Sequence, residues 1–307
     1  PPSAGFAAVA SGHATPVGAA VMTGDALQRR RLLLIRGLGH SGTTILDLSL
    51  GAHPQLVGLG EAARILERPS PGDESRGPAQ LRRELRFKRS CTCGALAAEC
   101  PVWGPMLDWL PAHDGRSLAE KTLRLLDGVK THHPEARWVV DSYQDDMVLP
   151  FLEDPDLEIR IVHLTRDLRS WVHSRSRDGR RRRQWLPGLK PLLRWCHVNA
   201  RQASRLDSTG RPVYRLGYEQ LALDPEGSLR RLCQWLDIEF DARMLAPAQH
   251  SNSHILSGNR MRFDAKQSAS IRYDSAWLNQ PAGLAQLALL IPWVARMNRK
   301  LVYSENS

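Results

Sequence analysis

Short apolar runs alternate with amphipathic stretches along most of the chain. The run at residues 31–37 is rich in leucine and ends at a glycine, and residues 158–167 repeat the pattern with isoleucine and valine. Runs of this length are typical of strands buried on both faces of a sheet, and the stretches that follow them place apolar residues at helical spacing. This alternation predicts an α/β fold with a parallel sheet flanked by helices. The predicted strands are residues 31–37, 55–60, 136–142, 158–167 and 211–221, and the predicted helices are residues 43–53, 62–67, 168–177 and 228–238.

The same pattern predicts one large domain with less regular parts. Residues 1–30 are rich in Ala, Gly, Ser and Pro, which predicts a flexible leader. The domain is predicted to span residues 31–303. Within it, residues 64–135 are irregular and rich in Pro, Arg and Cys, and residues 178–208 are strongly basic and then helical. We expect both segments to be insertions that cover one face of the sheet.

The charge balance favours an anionic partner. Lysine and arginine outnumber aspartate and glutamate by 42 to 32, and the formal net charge is +10. Such a surface suits a nucleotide, an acidic glycan, a membrane surface or a nucleic acid. No apolar run approaches the roughly twenty residues of a transmembrane helix, and the leader lacks the basic-then-apolar order of a secretion signal. We therefore expect no transmembrane segment and a cytoplasmic location.

The sequence GLGHSGTT, residues 37–44, lies between the first predicted strand and the first predicted helix. Its glycines, Gly37 and Gly42, have the spacing of a phosphate-binding loop, whose backbone N–H groups surround an anion at a helix N-terminus. A nucleotide kinase needs a lysine after the second glycine, and this chain has Thr43 there. The loop therefore predicts a P-loop-like sheet whose anion is held without that lysine.

A second candidate anion site follows the strand at 158–167. Arg166 ends that strand, and Ser174 lies two helical turns further along the predicted helix. A guanidinium binds phosphate through two parallel hydrogen bonds, and a serine hydroxyl can donate a third. Together with the loop at 37–44, the pair predicts a nucleotide with phosphates at two ends.

These motifs resemble those of sulfotransferases that use 3′-phosphoadenosine 5′-phosphosulfate (PAPS), in the prokaryotic group related to carbohydrate and tyrosylprotein sulfotransferases. GLGHSGTT resembles the 5′-phosphosulfate loop and TRDLRSWVHS resembles the 3′-phosphate segment. The stretch RLGYEQLALDPEGSLRRLCQWLDI and the loop GNRMRF resemble the later motifs of the family, in the same order. The resemblance implies the sulfotransferase fold, PAPS as co-substrate and no required metal.

The sequence says less about the sulfuryl acceptor than about the sulfuryl donor, PAPS. The family implies sulfuryl transfer to a hydroxyl or amine of a small-molecule, glycan or lipid acceptor, with the two insertions over the acceptor side and no nucleic acid as partner. No motif specifies an oligomeric state. A P-loop nucleotide kinase and a non-catalytic binder of polyanions remain the alternatives. The Arg180–Arg183 run is either a solvated charge run or an attractant for an acidic acceptor or membrane surface.

The resemblance also assigns donor-binding residues. Thr43 and Thr44 would bind the 5′-phosphate through hydroxyl and backbone groups, and Asn259 would reach the 3′-phosphate. Tyr218 would contact the adenine or ribose, with core packing as its alternative role. Arg262 would also bind the 3′-phosphate, with a solvated charge as its alternative. The full set is Gly39, Ser41, Gly42, Thr43, Thr44, Arg166, Ser174, Tyr218, Asn259 and Arg262.

Two residues are the predicted catalytic groups. His40 stands where relatives usually have Lys or Arg, so a protonated imidazole would neutralise the leaving phosphate and turnover would fall at alkaline pH; its alternative is a hydrogen bond to the loop. Glu61 follows the strand at 55–60 and would be the general base, or else a cap of the helix at 62–67. Asp141 and His133 are the other candidate bases. Relatives often have Lys where this chain has Gln144.

Three cysteines cluster in the first insertion, at Cys91, Cys93 and Cys100. A structural zinc site needs four ligands, and His113 is the candidate for the fourth. The alternatives are a Cys91–Cys100 or Cys93–Cys100 disulfide and a packed, reduced turn. We expect the reduced turn and no bound metal.

Overall fold

Five parallel strands form one sheet in the computed structural model, which describes residues 30–67, 89–143, 157–176, 188–279 and 283–303. The strand order is β2-β3-β1-β4-β5, and every pair of neighbours is parallel. The predicted parallel sheet is therefore confirmed. The strands are β1 (Arg30–Arg36), β2 (Leu56–Gly58), β3 (Trp138–Asp141), β4 (Leu157–Thr165) and β5 (Val213–Gly217).

Helices cover both faces of this sheet. Those before β4 are α1 (Thr43–Gly51), α2 (Ala62–Leu66), α3 (Gly104–Trp109) and α4 (Leu118–His132). Those after β4 are α5 (Leu168–Ser176), α6 (Leu189–Ser208), α7 (Tyr218–Leu223), α8 (Pro225–Trp235), α9 (Pro247–His250), α10 (Gly283–Ala288) and α11 (Pro292–Val302). Short 3₁₀ turns occur at Ala97–Glu99, Leu110–His113, Ala242–Leu245 and Arg260–Phe263. None of the described helices combines the length and the apolar composition that crossing a membrane requires.

The predicted strands and helices are confirmed with shifted ends, and two expectations are wrong. The last strand ends at Gly217, and the chain turns at once into α7 instead of remaining extended to residue 221. Residues 64–135 were expected to be irregular, yet α4 runs for 15 residues there. Ser117 and Glu120 form a capping box at its start, and Leu125 and Val129 are buried at helical spacing. Residues 1–29 of the predicted leader lie outside the described residues, whereas Arg30 begins β1. The predicted domain bounds stay a prediction.

Alternating side chains of the strands build a core on each face of the sheet. Leu32 and Leu34 of β1 belong to one apolar cluster, and Leu33 and Ile35 belong to the other. Each cluster is completed by helices, so β1 has no solvent-facing side. This explains why its sequence is a continuous apolar run and not an alternating one.

The connections after β1 and β4 run in opposite directions across the sheet. The chain leaves β1 through α1 toward β2, whereas it leaves the neighbouring β4 through α5 and α6 toward β5. Such a switch point opens a crevice at the carboxyl ends of the two strands. Gly37 sits in this crevice, where a Cβ would lie 2.3 Å from the Leu164 carbonyl oxygen. The loop at 37–44 therefore passes against β4 only because residue 37 has no side chain.

A buried carboxyl joins α1 to the ends of β2 and β3. One oxygen of Asp47, which is fully buried, accepts hydrogen bonds from the Ser142 hydroxyl at 2.6 Å and from the Gly60 N–H at 3.1 Å. Burial raises the pKa of Asp47 to about 7, although the Ser142 hydrogen bond opposes the shift. The folded protein thus holds a proton on Asp47 that the unfolded chain releases near pH 3.8.

Asp47→Asn is expected to flatten the dependence of stability on pH. Between pH 3.8 and about 7 the folded wild type binds one more proton at this site than the unfolded chain, so stability falls as pH rises through this window. The loss is about 1.4 kcal/mol per pH unit for one proton. The asparagine keeps the acceptor for Ser142 and Gly60 and does not titrate. Denaturant unfolding at several pH values measures how the free energy of unfolding changes with pH in the wild type and in Asp47→Asn.

The matched control is Asp127→Asn, which changes an exposed carboxylate that pairs with Arg30. It should retain the wild-type slope. Part of that slope persists in every variant, because burial also raises the pKa of Asp141 to about 6 and that of Glu219 to about 7. A slope in Asp47→Asn as steep as in wild type would contradict the assignment.

Candidate active site

A cavity of about 530 Å³ lies at the carboxyl ends of β1 and β4. Its size is within the usual range of ligand pockets. Most of the sequence-predicted site residues line it, whereas Ser41 and Arg262 do not. The predicted residues that line it are Gly39, His40, Gly42, Thr43, Thr44, Glu61, Arg166, Ser174, Tyr218 and Asn259.

The loop after β1 delivers the N-terminus of α1 to this cavity. His40 and Gly42 both have left-handed backbones, with φ of 75° and 97°. Gly42 precedes the helix, and a Cβ there would lie 2.4 Å from Cδ2 of Tyr218. Since the first N–H groups of a helix have no intrahelical acceptor, they offer donors to an anion beside Thr43 and Thr44. Ser41 is buried in the turn, where its N–H donates to the Leu38 carbonyl at 2.9 Å.

Arg166 connects this loop to the segment after β4. Its guanidinium donates to the His40 carbonyl at 3.1 Å, to the Ser170 hydroxyl at 2.7 Å and to the Asp274 carboxylate at 2.7 Å. It also lies 4.9 Å from the centre of the Tyr218 ring. The side chain is 8% exposed and still faces the cavity. The structure thus brings a buried cation to the predicted 3′-phosphate position and gives it a carboxylate partner.

His40 meets a second cation that the sequence analysis did not single out. Its Nε2 lies 2.8 Å from Nη1 of Arg175, and its Nδ1 lies 3.4 Å from the Ser174 hydroxyl. A guanidinium has only donors, so Nε2 is the acceptor in this contact and the ring carries its hydrogen on Nδ1. In this arrangement Arg175 carries a permanent positive charge directly beside the imidazole.

Glu61 also faces the cavity. It occupies the residue before α2, yet its side chain makes no capping hydrogen bond. Instead its carboxylate accepts from the Ser257 hydroxyl at 3.2 Å and pairs with Arg64 at 3.1 Å. Its backbone N–H donates to the Ser257 carbonyl at 3.0 Å. These contacts hold the carboxylate at the wall of the cavity.

The other two candidate bases lie elsewhere. Asp141 is buried, and its carboxylate accepts from the N–H groups of Ala63 at 3.0 Å and Tyr143 at 2.7 Å. It therefore caps α2 in place of Glu61. Burial raises its pKa to about 6, with the nearby charge of Arg36 opposing the shift. His133 contacts His254, and neither Asp141 nor His133 lines the cavity.

The three remaining residues that were predicted to bind PAPS occupy different positions relative to the cavity. Tyr218 lies between Gly42 and Arg166, and its hydroxyl donates to the Arg272 carbonyl at 2.7 Å. The side-chain oxygen of Asn259 accepts from the Met261 N–H at 3.0 Å, which starts a 3₁₀ turn at the rim. Arg262 donates to the carbonyls of Leu256, Gly258 and Asn259. Its guanidinium therefore holds the C-terminal loop and not the wall of the cavity.

Three further arginines and a tryptophan line the cavity without having been predicted. They are Arg64, Arg175, Arg194 and Trp171. A signal for two of them was present, because Trp171, Ser174 and Arg175 are three and four residues apart on one helical face. Trp171 donates its indole N–H to the Gly39 carbonyl at 2.9 Å, so this helical face both contacts the loop and lines the cavity. Arg194 projects from α6, for which the sequence offers no comparable marker.

The cysteine cluster acquires a different partner from the expected one. His254, and not His113, joins Cys91, Cys93 and Cys100, with all four ligand atoms within 4.8 Å of one another. His113 stacks on Trp109, with ring centres 4.1 Å apart. All five cysteines are free thiols, so neither candidate disulfide is formed. Gln144 and the Arg180–Arg183 run lie outside the described residues.

Comparisons with known proteins agree with this fold and its motifs. The chain superposes on the sulfotransferase domain from the Synechococcus PCC 7002 olefin synthase with a TM-score of 0.55 at 18% identity, covering 91% of this chain and 96% of that one. For the sulfotransferase domain from the curacin biosynthetic pathway the TM-score is 0.49 at 17% identity, with coverage of 89% and 97%. No curated protein sequence is significantly similar to the chain. The model of the sulfotransferase family matches residues 33–242, and the chain belongs to that family.

Proposed function

We propose that this protein transfers the sulfuryl group of PAPS to a hydroxyl or amine of a small-molecule, glycan or lipid acceptor. The observation that supports this most is one cavity lined by the loop at 37–44, by Arg166 with Ser174, and by Glu61. A donor with phosphates at two ends and an acceptor that must lose a proton would need these three groups together. The positive charge of the cavity suits both the donor and its bisphosphate product.

In this proposal the N-terminus of α1 binds the 5′-phosphosulfate through the N–H groups beside Thr43 and Thr44. Arg166 and Ser174 bind the 3′-phosphate. Because all the guanidinium nitrogens of Arg166 already have partners, the phosphate takes over the hydrogen bond now made to Asp274. Asp274 is partly exposed and can turn toward solvent. Tyr218 packs against Gly42 and Arg166 and limits how far the nucleotide can move.

The chemical step follows from the position of Glu61. Its carboxylate removes the proton of the acceptor hydroxyl or amine, whose oxygen or nitrogen forms the new bond to sulfur. The bond between sulfur and the bridging oxygen breaks, and its electron pair stays on the 5′-phosphate of adenosine 3′,5′-bisphosphate. Arg175 and the α1 amides stabilise the negative charge that develops there. In this step Arg175 and the α1 amides supply the positive charge, and no metal ion is required.

A nucleotide kinase and a polyanion binder would use the same cavity in different ways, and an experiment can distinguish them from a sulfotransferase. A kinase that lacks the loop lysine would depend on Mg²⁺ to hold the terminal phosphates. A binder would retain PAPS without converting it. Incubation of the protein with labelled PAPS and a metabolite extract, followed by mass spectrometry, tests the proposed transfer and identifies the sulfated product. Label that never leaves PAPS would favour the binder, and phosphorylated products that need Mg²⁺ and ATP would favour the kinase.

Adenosine 3′,5′-bisphosphate is expected to raise Tm far more than AMP does, without added Mg²⁺. Only the bisphosphate carries the group that Arg166 and Ser174 are proposed to bind. A ligand at a hundred times its Kd stabilises the native state by about 2.7 kcal/mol. Thermal unfolding with each nucleotide measures the difference. Arg166→Lys should shrink it, since an ammonium lacks the paired donors of a guanidinium, and equal shifts for AMP and the bisphosphate would rule out this binding mode.

Glu61→Gln is expected to lower kcat by about 10²–10⁴-fold, the usual contribution of a general base. The amide oxygen can still accept from Ser257, so the KM for PAPS and the Tm shift with the bisphosphate should change little. Steady-state assays at saturating acceptor separate the two effects. Glu67→Gln makes the same chemical change at the other end of α2, outside the cavity, and serves as the control. Wild-type kcat in Glu61→Gln would exclude Glu61 as the base.

Variants of His40 and Arg175 are expected to show which residue carries the positive charge that stabilises the leaving 5′-phosphate. His40→Asn preserves a side-chain acceptor for Arg175, and asparagine tolerates the left-handed backbone at φ 75°. We expect it to keep most of kcat, whereas Arg175→Gln should lose about 10²–10³-fold, as is typical when one charge-stabilising donor is removed. Profiles of kcat against pH test this. A wild-type alkaline fall together with an inactive His40→Asn would instead support a protonated His40.

A further inference from the structure

Three thiols and one imidazole converge outside the cavity. The Sγ of Cys100 lies 3.6 Å from the Sγ of Cys91 and 3.2 Å from Nδ1 of His254. The Sγ of Cys91 lies 3.9 Å from the same Nδ1. Cys93 completes the group, with all four ligand atoms within 4.8 Å of one another. None of these residues lines the cavity of the candidate active site.

These separations match the edges of a small tetrahedron. With zinc–sulfur bonds of about 2.3 Å and zinc–nitrogen bonds of about 2.0–2.1 Å, tetrahedral geometry places sulfurs about 3.8 Å apart and sulfur and nitrogen about 3.5 Å apart. The three measured distances each lie within about 0.4 Å of those ideal edges. A disulfide would need Cys91 and Cys100 to approach much further, to about 2.05 Å, and would leave Cys93 and His254 without a partner in the group.

We propose that Cys91, Cys93, Cys100 and His254 bind one structural zinc ion. Four protein ligands leave no open position for water or substrate, so the ion would stabilise the fold and take no part in the reaction. The ligand thiols are reduced, as expected for this turn, whereas a bound ion would replace the expectation of no metal.

The backbone around the cysteines is shaped to present them. Gly94 follows Cys93 with a left-handed φ of 92°, and its N–H donates to the Cys91 carbonyl at 3.0 Å. The N–H of Cys91 donates to the Ala95 carbonyl at 2.8 Å, which closes the turn. This tight turn brings the two nearby thiols to one side, as a metal-binding knuckle requires. The N–H of Trp103 points at the Sγ of Cys100 at 3.5 Å, a contact that stabilises a thiolate.

The imidazole is oriented for the same purpose. While Nδ1 of His254 faces the thiols, its Nε2 lies 2.9 Å from Nε2 of His133. His133 in turn places its Nδ1 3.8 Å from the carboxylate of Glu135. Metal-bound histidines usually donate their other N–H to such a partner, which fixes the tautomer.

The proposed ion joins two segments that are far apart in sequence. The hydroxyl of Thr92 donates to the Ser253 carbonyl at 2.6 Å and accepts from the Ile255 N–H at 2.9 Å. The indole N–H of Trp103 donates to the His254 carbonyl at 2.6 Å. With these contacts, the ion would anchor the segment at 253–257 to the cysteine turn. That segment ends at Ser257, which holds Glu61.

Metal analysis of the full chain tests the proposal without relying on activity. Protein purified under reducing conditions and given Zn²⁺ should retain about one zinc ion per chain by mass spectrometry of the elements. Cys93→Ser and His254→Gln should retain a small fraction of that amount. His113→Gln and Cys196→Ser are the matched controls, since each changes the same residue type away from the cluster, and both should keep the full zinc content.

Three further measurements test the proposal even if a variant of one of the four ligands fails to fold. Cobalt in place of zinc in the wild-type protein should give a thiolate charge-transfer band and the strong visible bands of a tetrahedral site. A zinc chelator should lower the wild-type Tm. His133→Ala should weaken zinc affinity by about 10–100-fold, as expected for a residue that supports a ligand. A wild-type protein without zinc after reconstitution, an octahedral cobalt spectrum or a Cys91–Cys100 disulfide found by peptide mapping would overturn the proposal.

Discussion

The hydrogen bonds of one buried guanidinium determine how the parts of the cavity meet. Arg166 leaves β4 with little exposure, and a buried cation must have its donors satisfied because desolvation would otherwise cost several kcal/mol. Its partners come from the loop after β1 at His40, from α5 at Ser170 and from the C-terminal segment at Asp274, and its face covers Tyr218 of α7. Four stretches of chain are therefore placed relative to one side chain. A nucleotide phosphate that replaced Asp274 would exchange one carboxylate for another anion and leave the other contacts in place.

The local parts of this arrangement were predictable, and the non-local parts were not. The strand–loop–helix units at 31–53 and 158–177 follow from apolar patterning and from Gly42, whose backbone only a glycine adopts easily. Contacts between segments that are distant along the chain produce no comparable pattern in the sequence. Arg175 meets His40 because α5 packs beside the loop after β1, and His254 joins cysteines more than 150 residues earlier. His113, the candidate offered by the sequence without a specific signal, stacks on Trp109 instead.

Two carboxylates offset part of the positive charge of the arginines that share the cavity. Arg64 pairs with Glu61, and Arg166 pairs with Asp274. Each pair reduces the repulsion between cations, which grows as the site is shielded from water. The two ion pairs differ in how the carboxylate would respond to a bound ligand. In the proposed complex Asp274 would yield its place to a phosphate, whereas Glu61 would keep its hydrogen bond from Ser257 if Arg64 turned to a ligand.

The position of Glu61 depends on a segment with little regular structure of its own. Residues 251–257 form no helix, and an isolated bridge joins Ser257 to Gly60. The N–H of His254 also donates to the Gly58 carbonyl of β2 at 2.7 Å. These few bonds do not form a continuous ladder, so a further anchor outside the sheet adds to them. The cysteine turn supplies one through Thr92, and the proposed zinc ion would add the strongest bond between the two. The candidate base would then be held by the sheet on one side and by a metal cross-link on the other, while the donor end of the cavity depends on Arg166.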